Sequence, residues 1–133
     1  MKKILILHSI AGNMAQIASG IKEGAENGGH RVEVMTPENK KSVISFHPYD
    51  LVLAGSPTRG FFRGNIATDV IDLLKKCKRT EGQQAAAFVT PRFFATTGAL
   101  KKLMAQLEKQ GCIVNNFTSL KNRQQAVEFG RNM

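Results

Sequence analysis

The chain has 133 residues, 42% hydrophobic and 22% charged, so it can fill one core and is too apolar for a disordered or fibrous protein. Nineteen Lys and Arg against ten Asp and Glu give a formal charge of +9, which predicts attraction to acidic partners and says nothing about fold. The two cysteines, Cys77 and Cys112, stand far apart with no CxxC and no Cys/His cluster, which argues against a disulfide framework, a thioredoxin-type motif and a structural zinc site.

The start, Met1-Lys2-Lys3 before Ile4-Leu5-Ile6-Leu7, briefly imitates a signal peptide. Its apolar run ends at His8-Ser9, too short for an h-region, and no later stretch approaches a membrane span. The expectation is a reduced, cytoplasmic chain with no membrane partner. Residues 4–7 read instead as a strand buried on both faces.

A helical stripe follows at Met14, Ile17, Ala18, Ile21 and Ala25, with Asn13 and Gln16 spaced as an N-cap and its N3 partner. Residues 31–35 alternate, which predicts a strand nearer an edge. Residues 38–48 read as a short, irregular helix. A second buried strand is predicted over 51–54. Ile66, Val70, Leu73, Leu74 and Cys77 form the next helical stripe, with Asn65 as its cap. Another apolar strand spans 85–89. Leu100, Leu103, Met104 and Leu107 mark a third helix, started by Thr97 and stopped by Gly111. A last strand is predicted over 112–114 and a final helix over 121–132. The sequence shows no linker, repeat or low-complexity segment, so residues 1–133 form one domain.

Strand and helix alternating in this way predict an α/β fold: an open, doubly wound parallel sheet with helices on both faces. Ligands of such sheets bind outside the carboxyl ends of the strands, which points to the loops at 8–14, 55–64 and 90–97. The first contains Ser9, Ile10, Ala11, Gly12, Asn13 and Met14 and leads into a helix N-terminus, a geometry that binds anions. A plain strand-to-helix turn, which every doubly wound sheet needs, is the commoner explanation of that geometry. The second contains Ser56, Pro57, Thr58, Arg59, Gly60 and Phe61, then Phe62-Arg63-Gly64. Two adjacent Phe in a surface loop suit a cover for a flat ligand, or else a hydrophobic lid over the third helix. The third, Thr90, Pro91, Arg92, Phe93 and Phe94, repeats the style. Together the loops predict a planar, phosphorylated ligand.

The segments KILILHS, SIAGNM, DLVLAGSPTRG, AAFVTPRFF and GCIVNNF with AVEFGR, in this order and spacing, resemble the flavodoxin family across essentially the whole chain. GSPT is the most specific piece. The resemblance is to a short-chain flavodoxin and implies a flavodoxin-like sheet of five strands in the order 2-1-3-4-5. It further implies non-covalent FMN, held by Ser9, Ile10, Ala11, Gly12, Asn13, Met14, Ser56, Pro57, Thr58, Arg59, Gly60, Phe61, Thr90, Pro91, Arg92 and Phe93. Within each aromatic pair, Phe61 and Phe93 would cover the ring, with Phe62 and Phe94 turned towards the protein. Ala11 and Met14 stand where family members carry hydroxyls to the phosphate, and the chain is basic where the family is acidic.

His8 reads as packing under the first loop, and His30 and His47 as turn residues. Asp50 precedes its strand, at the end of the sheet away from the loops. No Ser/His/Asp or Cys/His set falls at the strand ends. A receiver domain of the same topology does not fit, because the first strand ends in His8-Ser9 rather than in acidic residues. The aromatic residues sit in sheet-end loops and not among the basic residues of a strand platform, which argues against nucleic acid. The expectation is a non-enzymatic electron carrier that exchanges electrons with acidic protein partners through FMN. A flavodoxin-fold binding or regulatory module with lost or weakened FMN binding stays open, as does, third, an FMN-dependent reductase of a small molecule.

Overall fold

The computed structural model describes residues 1–133. In chain order the elements are β1 (Lys3–His8), α1 (Met14–Asn27), β2 (Arg31–Met35), β3 (Ile44–Ser45), β4 (Leu51–Pro57), α2 (Thr68–Lys75), β5 (Cys77–Lys78), β6 (Gln84–Thr90), α3 (Thr96–Lys109), β7 (Ile113–Ser119) and α4 (Arg123–Arg131). Five of the strands pair in parallel in the order β2-β1-β4-β6-β7. With the short β3–β5 pair set aside, this is the expected 2-1-3-4-5 sheet.

The apolar runs become its centre because both faces are covered. Leu5, Leu7, Val52, Ala54, Ala85, Ala87 and Val89 face α2 and α3 in one core layer. Ile4, Ile6, Leu53, Ala86 and Phe88 face α1 and α4 in the other. The alternation of these numbers is the period of two along a strand. β2 and β7 lie at the two edges and carry the exposed positions.

Several local expectations are corrected. Residues 38–48 form no helix: Ile44 and Phe46 are buried while Ser45 and His47 are exposed, a period of two, and Ile44 pairs with Cys77. Cys77 therefore belongs to β5 and not to the helical stripe before it. Asn13 holds the N-cap position of α1 but makes no side-chain capping bond; the Gln16 amide donates to the Asn13 backbone carbonyl instead. Asn65 does not cap α2, which starts after Ala67. The strand foreseen at 112–114 runs on through polar residues to Ser119, and a register shift between Ala85 and Ala86 leaves Asn115 with no residue opposite it in the β6 register, though its side-chain amide donates to Gln84.

Candidate functional site

β1, β4 and β6 are neighbours, with His8 opposite Gly55 and Pro57 opposite Thr90, so the loops after them leave from one edge of the sheet. His8 is buried and its Nδ1–H donates to the Ser9 carbonyl at 2.7 Å, which is the packing role expected of it. Ser9 is fully buried, and its amide donates to the Gly55 carbonyl at 3.1 Å. Its hydroxyl accepts the Ala11 N–H at 3.0 Å, tightening the turn, and Gly12 follows with φ +61°, a conformation that favours glycine.

A carboxylate meets this loop. Asp69, in the first turn of α2, accepts the Ser9 hydroxyl at 2.9 Å and the Ile10 N–H at 3.1 Å, both on Oδ2. The N-terminal end of α2 favours a negative charge at this position. Two donors that a bound anion would use are thus taken by the chain itself. Asp69 Oδ1 is buried with no hydrogen-bond partner, and the other such buried atom is Thr58 Oγ1 at the end of β4. Buried polar atoms normally find a partner, so both orphans mark this edge of the sheet. Ala11, Arg59, Asn65, Thr68 and Asp69 line an open cleft of about 450 Å³ beside the loop. Its one guanidinium and one carboxylate leave the cleft without net charge, and neither belongs to the two ion pairs of the structure, Lys3–Glu33 and Arg123–Glu23.

The second loop is built on Ser56 and Arg59. The Ser56 hydroxyl accepts the Ala67 N–H at 2.9 Å and donates to the Pro57 carbonyl, which fixes the start of α2. Thr58 is tied to the next strand by its N–H to the Thr90 carbonyl at 3.1 Å. Arg59 and Asn65 exchange both backbone hydrogen bonds, at 2.8 and 2.9 Å, closing a knuckle that projects Phe61, Phe62 and Arg63. In the third loop the Arg92 N–H donates to Thr96 Oγ1 at 3.0 Å, and Phe93 holds φ +44°, a strained value for a bulky residue.

The two knuckles stack on each other. Phe61 lies on Phe93 with ring centroids 5.0 Å apart and 6° between planes. Phe62 lies on Phe94 at 6.1 Å, also 6° apart. The Arg92 guanidinium stands 5.6 Å from the Phe61 ring centre. The expectation that Phe62 and Phe94 turn inwards is corrected: they are 76% and 78% exposed, more than Phe61 at 55% and Phe93 at 72%. Their rings pair with each other outside the core instead. Met14, expected in the phosphate loop, puts its side chain in the core beneath α1. Ile10, Gly12 and Asn13 are exposed on the loop, as are Pro91 and Arg92 on theirs.

Asp69 is the site residue that the sequence hid. Its signal was a carboxylate in the first turn of the helix after the second loop, a position whose N-terminal end points to the same edge as the first loop.

A flavin and its phosphate place different demands on these residues. The ring fits the aromatic side: four exposed Phe rings with Arg59, Arg63 and Arg92 on the same two loops offer flat apolar faces bordered by positive charge. A ring placed between Phe61 and Phe93 needs centroids about 7–8 Å apart, two ordinary contact distances, so those loops would part by about 2–3 Å. The phosphate does not fit. An anion sharing the Ser9 and Ile10 donors with Asp69 would stand about 4 Å from it, where two unit charges repel by about 4 kcal/mol at an effective dielectric of about 20.

No protein-family model and no curated protein sequence matches the chain. Solved structures do. Oxidised flavodoxin 2 from Bacillus cereus is 23% identical with a TM-score of 0.69, over 98% of this chain and 93% of that one. Oxidised flavodoxin 1 from the same organism is 18% identical at 0.69, over 96% and 94%. The flavodiiron protein from Giardia intestinalis is 18% identical at 0.68; the match takes in 98% of this chain but 34% of that longer one. The chain has the flavodoxin fold.

Proposed function

We propose that this protein binds a flavin at the aromatic edge of its sheet and carries electrons between protein partners. One observation carries the reading: the stacked Phe61–Phe93 and Phe62–Phe94 pairs stand exposed beyond the carboxyl ends of β4 and β6, where a doubly wound sheet binds its ligands. The flavodoxins that share the fold support it. When bound, the flavin supplies the redox chemistry. The chain's own residues hold the ring: Phe61 and Phe93 offer the stacking faces, and Arg92 beside Phe61 and Arg59 at the cleft border it with positive charge. No side chain needs to act as acid, base or nucleophile, so the protein acts as a carrier. The excess of basic residues suits acidic partners, with binding that weakens as salt rises. FMN is the flavin that the family resemblance implies.

A second reading has its own observation. The Asp69 carboxylate on the first loop's donors and the direct contact of Phe61 with Phe93 both favour a flavodoxin-fold module that works without a cofactor. Titrating the purified protein with FMN and with riboflavin, followed by flavin fluorescence and the visible spectrum, separates the two. Saturable binding of either is expected. Absence of binding up to about 100 μM, weaker than about −5.5 kcal/mol, overturns the carrier and leaves the module.

A further inference from the structure

We propose that Asp69 makes this site select the unphosphorylated flavin ring over its phosphate ester; the inference rests on the flavin reading above and names the form of flavin the site takes. In this fold an anion held by the first loop needs the loop's donors. Here Asp69 Oδ2 already accepts from the Ser9 hydroxyl and the Ile10 amide, at 2.9 and 3.1 Å. The contact is built in. Ser9 is fully buried, its hydroxyl is also the acceptor for Ala11, and Asp69 is anchored in the first turn of α2.

A phosphate therefore has two routes. It displaces the carboxylate, which loses both hydrogen bonds and swings out with a buried Oδ1 that already lacks a donor, or it sits beside the carboxylate and is repelled. Of the first loop's side chains, Ala11 carries no donor and Met14 is buried in the core, which leaves the exposed Asn13 amide as the uncommitted side-chain donor there, a neutral group against a carboxylate. Arg59, in the same cleft, offsets one negative charge, and Asp69 supplies that charge before any ligand arrives. The aromatic pairs, in contrast, ask nothing of the phosphate. Phe61, Phe62, Phe93 and Phe94 stack on a neutral ring as well as on its ester, since stacking depends on the ring face. The ligand class is thus a neutral, planar heteroaromatic such as riboflavin, with its side chain turned away from Asp69.

The test compares riboflavin and FMN on the intact chain by fluorescence quenching, in wild type and in Asp69→Asn. Wild type is expected to bind riboflavin at least as tightly as FMN. Asp69→Asn removes the charge and keeps the shape; it should tighten FMN tenfold or more and leave riboflavin within about threefold, the context scatter of single-interaction effects. Wild type that binds FMN tenfold more tightly than riboflavin overturns the selection and leaves the flavin reading standing. The same holds if Asp69→Asn changes both affinities equally. Absence of binding by either flavin overturns the flavin reading and this inference with it. The wild-type ratio decides the matter even if the variant does not fold.

Discussion

Gly64 and Gly98 meet backbone to backbone: a methyl group on Gly98 would lie 2.6 Å from the Gly64 amide nitrogen, and one on Gly64 would lie 1.9 Å from the Ala95 carbonyl oxygen. This contact seats the end of the second loop against the first turn of α3, directly after the third loop. Flexible side chains cannot relieve it, because the atoms that clash are backbone. Gly98→Ala should therefore cost about 1–3 kcal/mol of stability, in the range of an overpacked core, and should push the end of the second loop away from α3. Urea unfolding reads the cost. An unchanged midpoint would show that the contact yields easily.

The stacked rings themselves should matter little to folding. Phe61 and Phe93 are both more than half exposed, so truncating either leaves the core intact. Their pairing is worth about 0.5–1.5 kcal/mol, the usual coupling of a stacked aromatic pair. A double-mutant cycle on Phe61→Ala and Phe93→Ala should return a coupling in that range, while flavin quenching is lost in both single variants. A loss of about 3–5 kcal/mol for one truncation would place that ring in the core and contradict its exposure.

The sheet was legible because its central strands are buried on both faces, so 4–7, 51–54 and 85–89 read as unbroken apolar runs. The same rule failed at the edge. Beyond Val114, Asn115 and Asn116 face outwards on β7, and the strand continues on backbone hydrogen bonds that leave no mark in composition. Residues 43–47 misled for a related reason: two residues of β3 are too few for a period of two to stand out. The aromatic loops were visible as Phe-Phe pairs next to Arg, but which ring meets which is a tertiary fact. Asp69 was hidden most completely. On the polar side of a helical stripe a carboxylate reads as solvated, and only the folded chain brings it to Ser9, 60 residues away in sequence.

Ser9 should be the residue of the first loop on which stability depends most. Its buried hydroxyl donates to a carboxylate and accepts from the Ala11 amide, so Ser9→Ala removes one charge-assisted bond and one neutral bond. The charge-assisted bond alone contributes about 1.5–3 kcal/mol. Chemical denaturation should show a loss of at least that size. A change below about 0.5 kcal/mol, typical of an uninvolved surface position, would mean that Asp69 does not latch the loop in solution.

The two thiols give a test in pH. Burial pushes the Cys77 thiol up to about 12, helped by the nearby Cys112, and burial alone pushes Cys112 up to about 11. Both side chains are nearly inaccessible, at 4% and 6% exposed, and Cys77 donates to the Leu73 carbonyl. The unfolded chain ionises these groups near the ordinary value of 9.0, so between about pH 9 and 12 it has released protons that the folded chain still holds. Stability must then fall as pH rises through that window, and below it the contribution is complete. Folded protein at pH 8 should resist a thiol-specific reagent, with labelling that follows global unfolding, since the thiolate is the reactive form. Urea midpoints should decline from pH 9 to 10.5, and the decline should be shallower in Cys77→Ala. Rapid labelling of either cysteine at pH 8 without unfolding, or a decline equally steep in Cys77→Ala, would show that the thiols are not held neutral in the core between β3, β5 and α3.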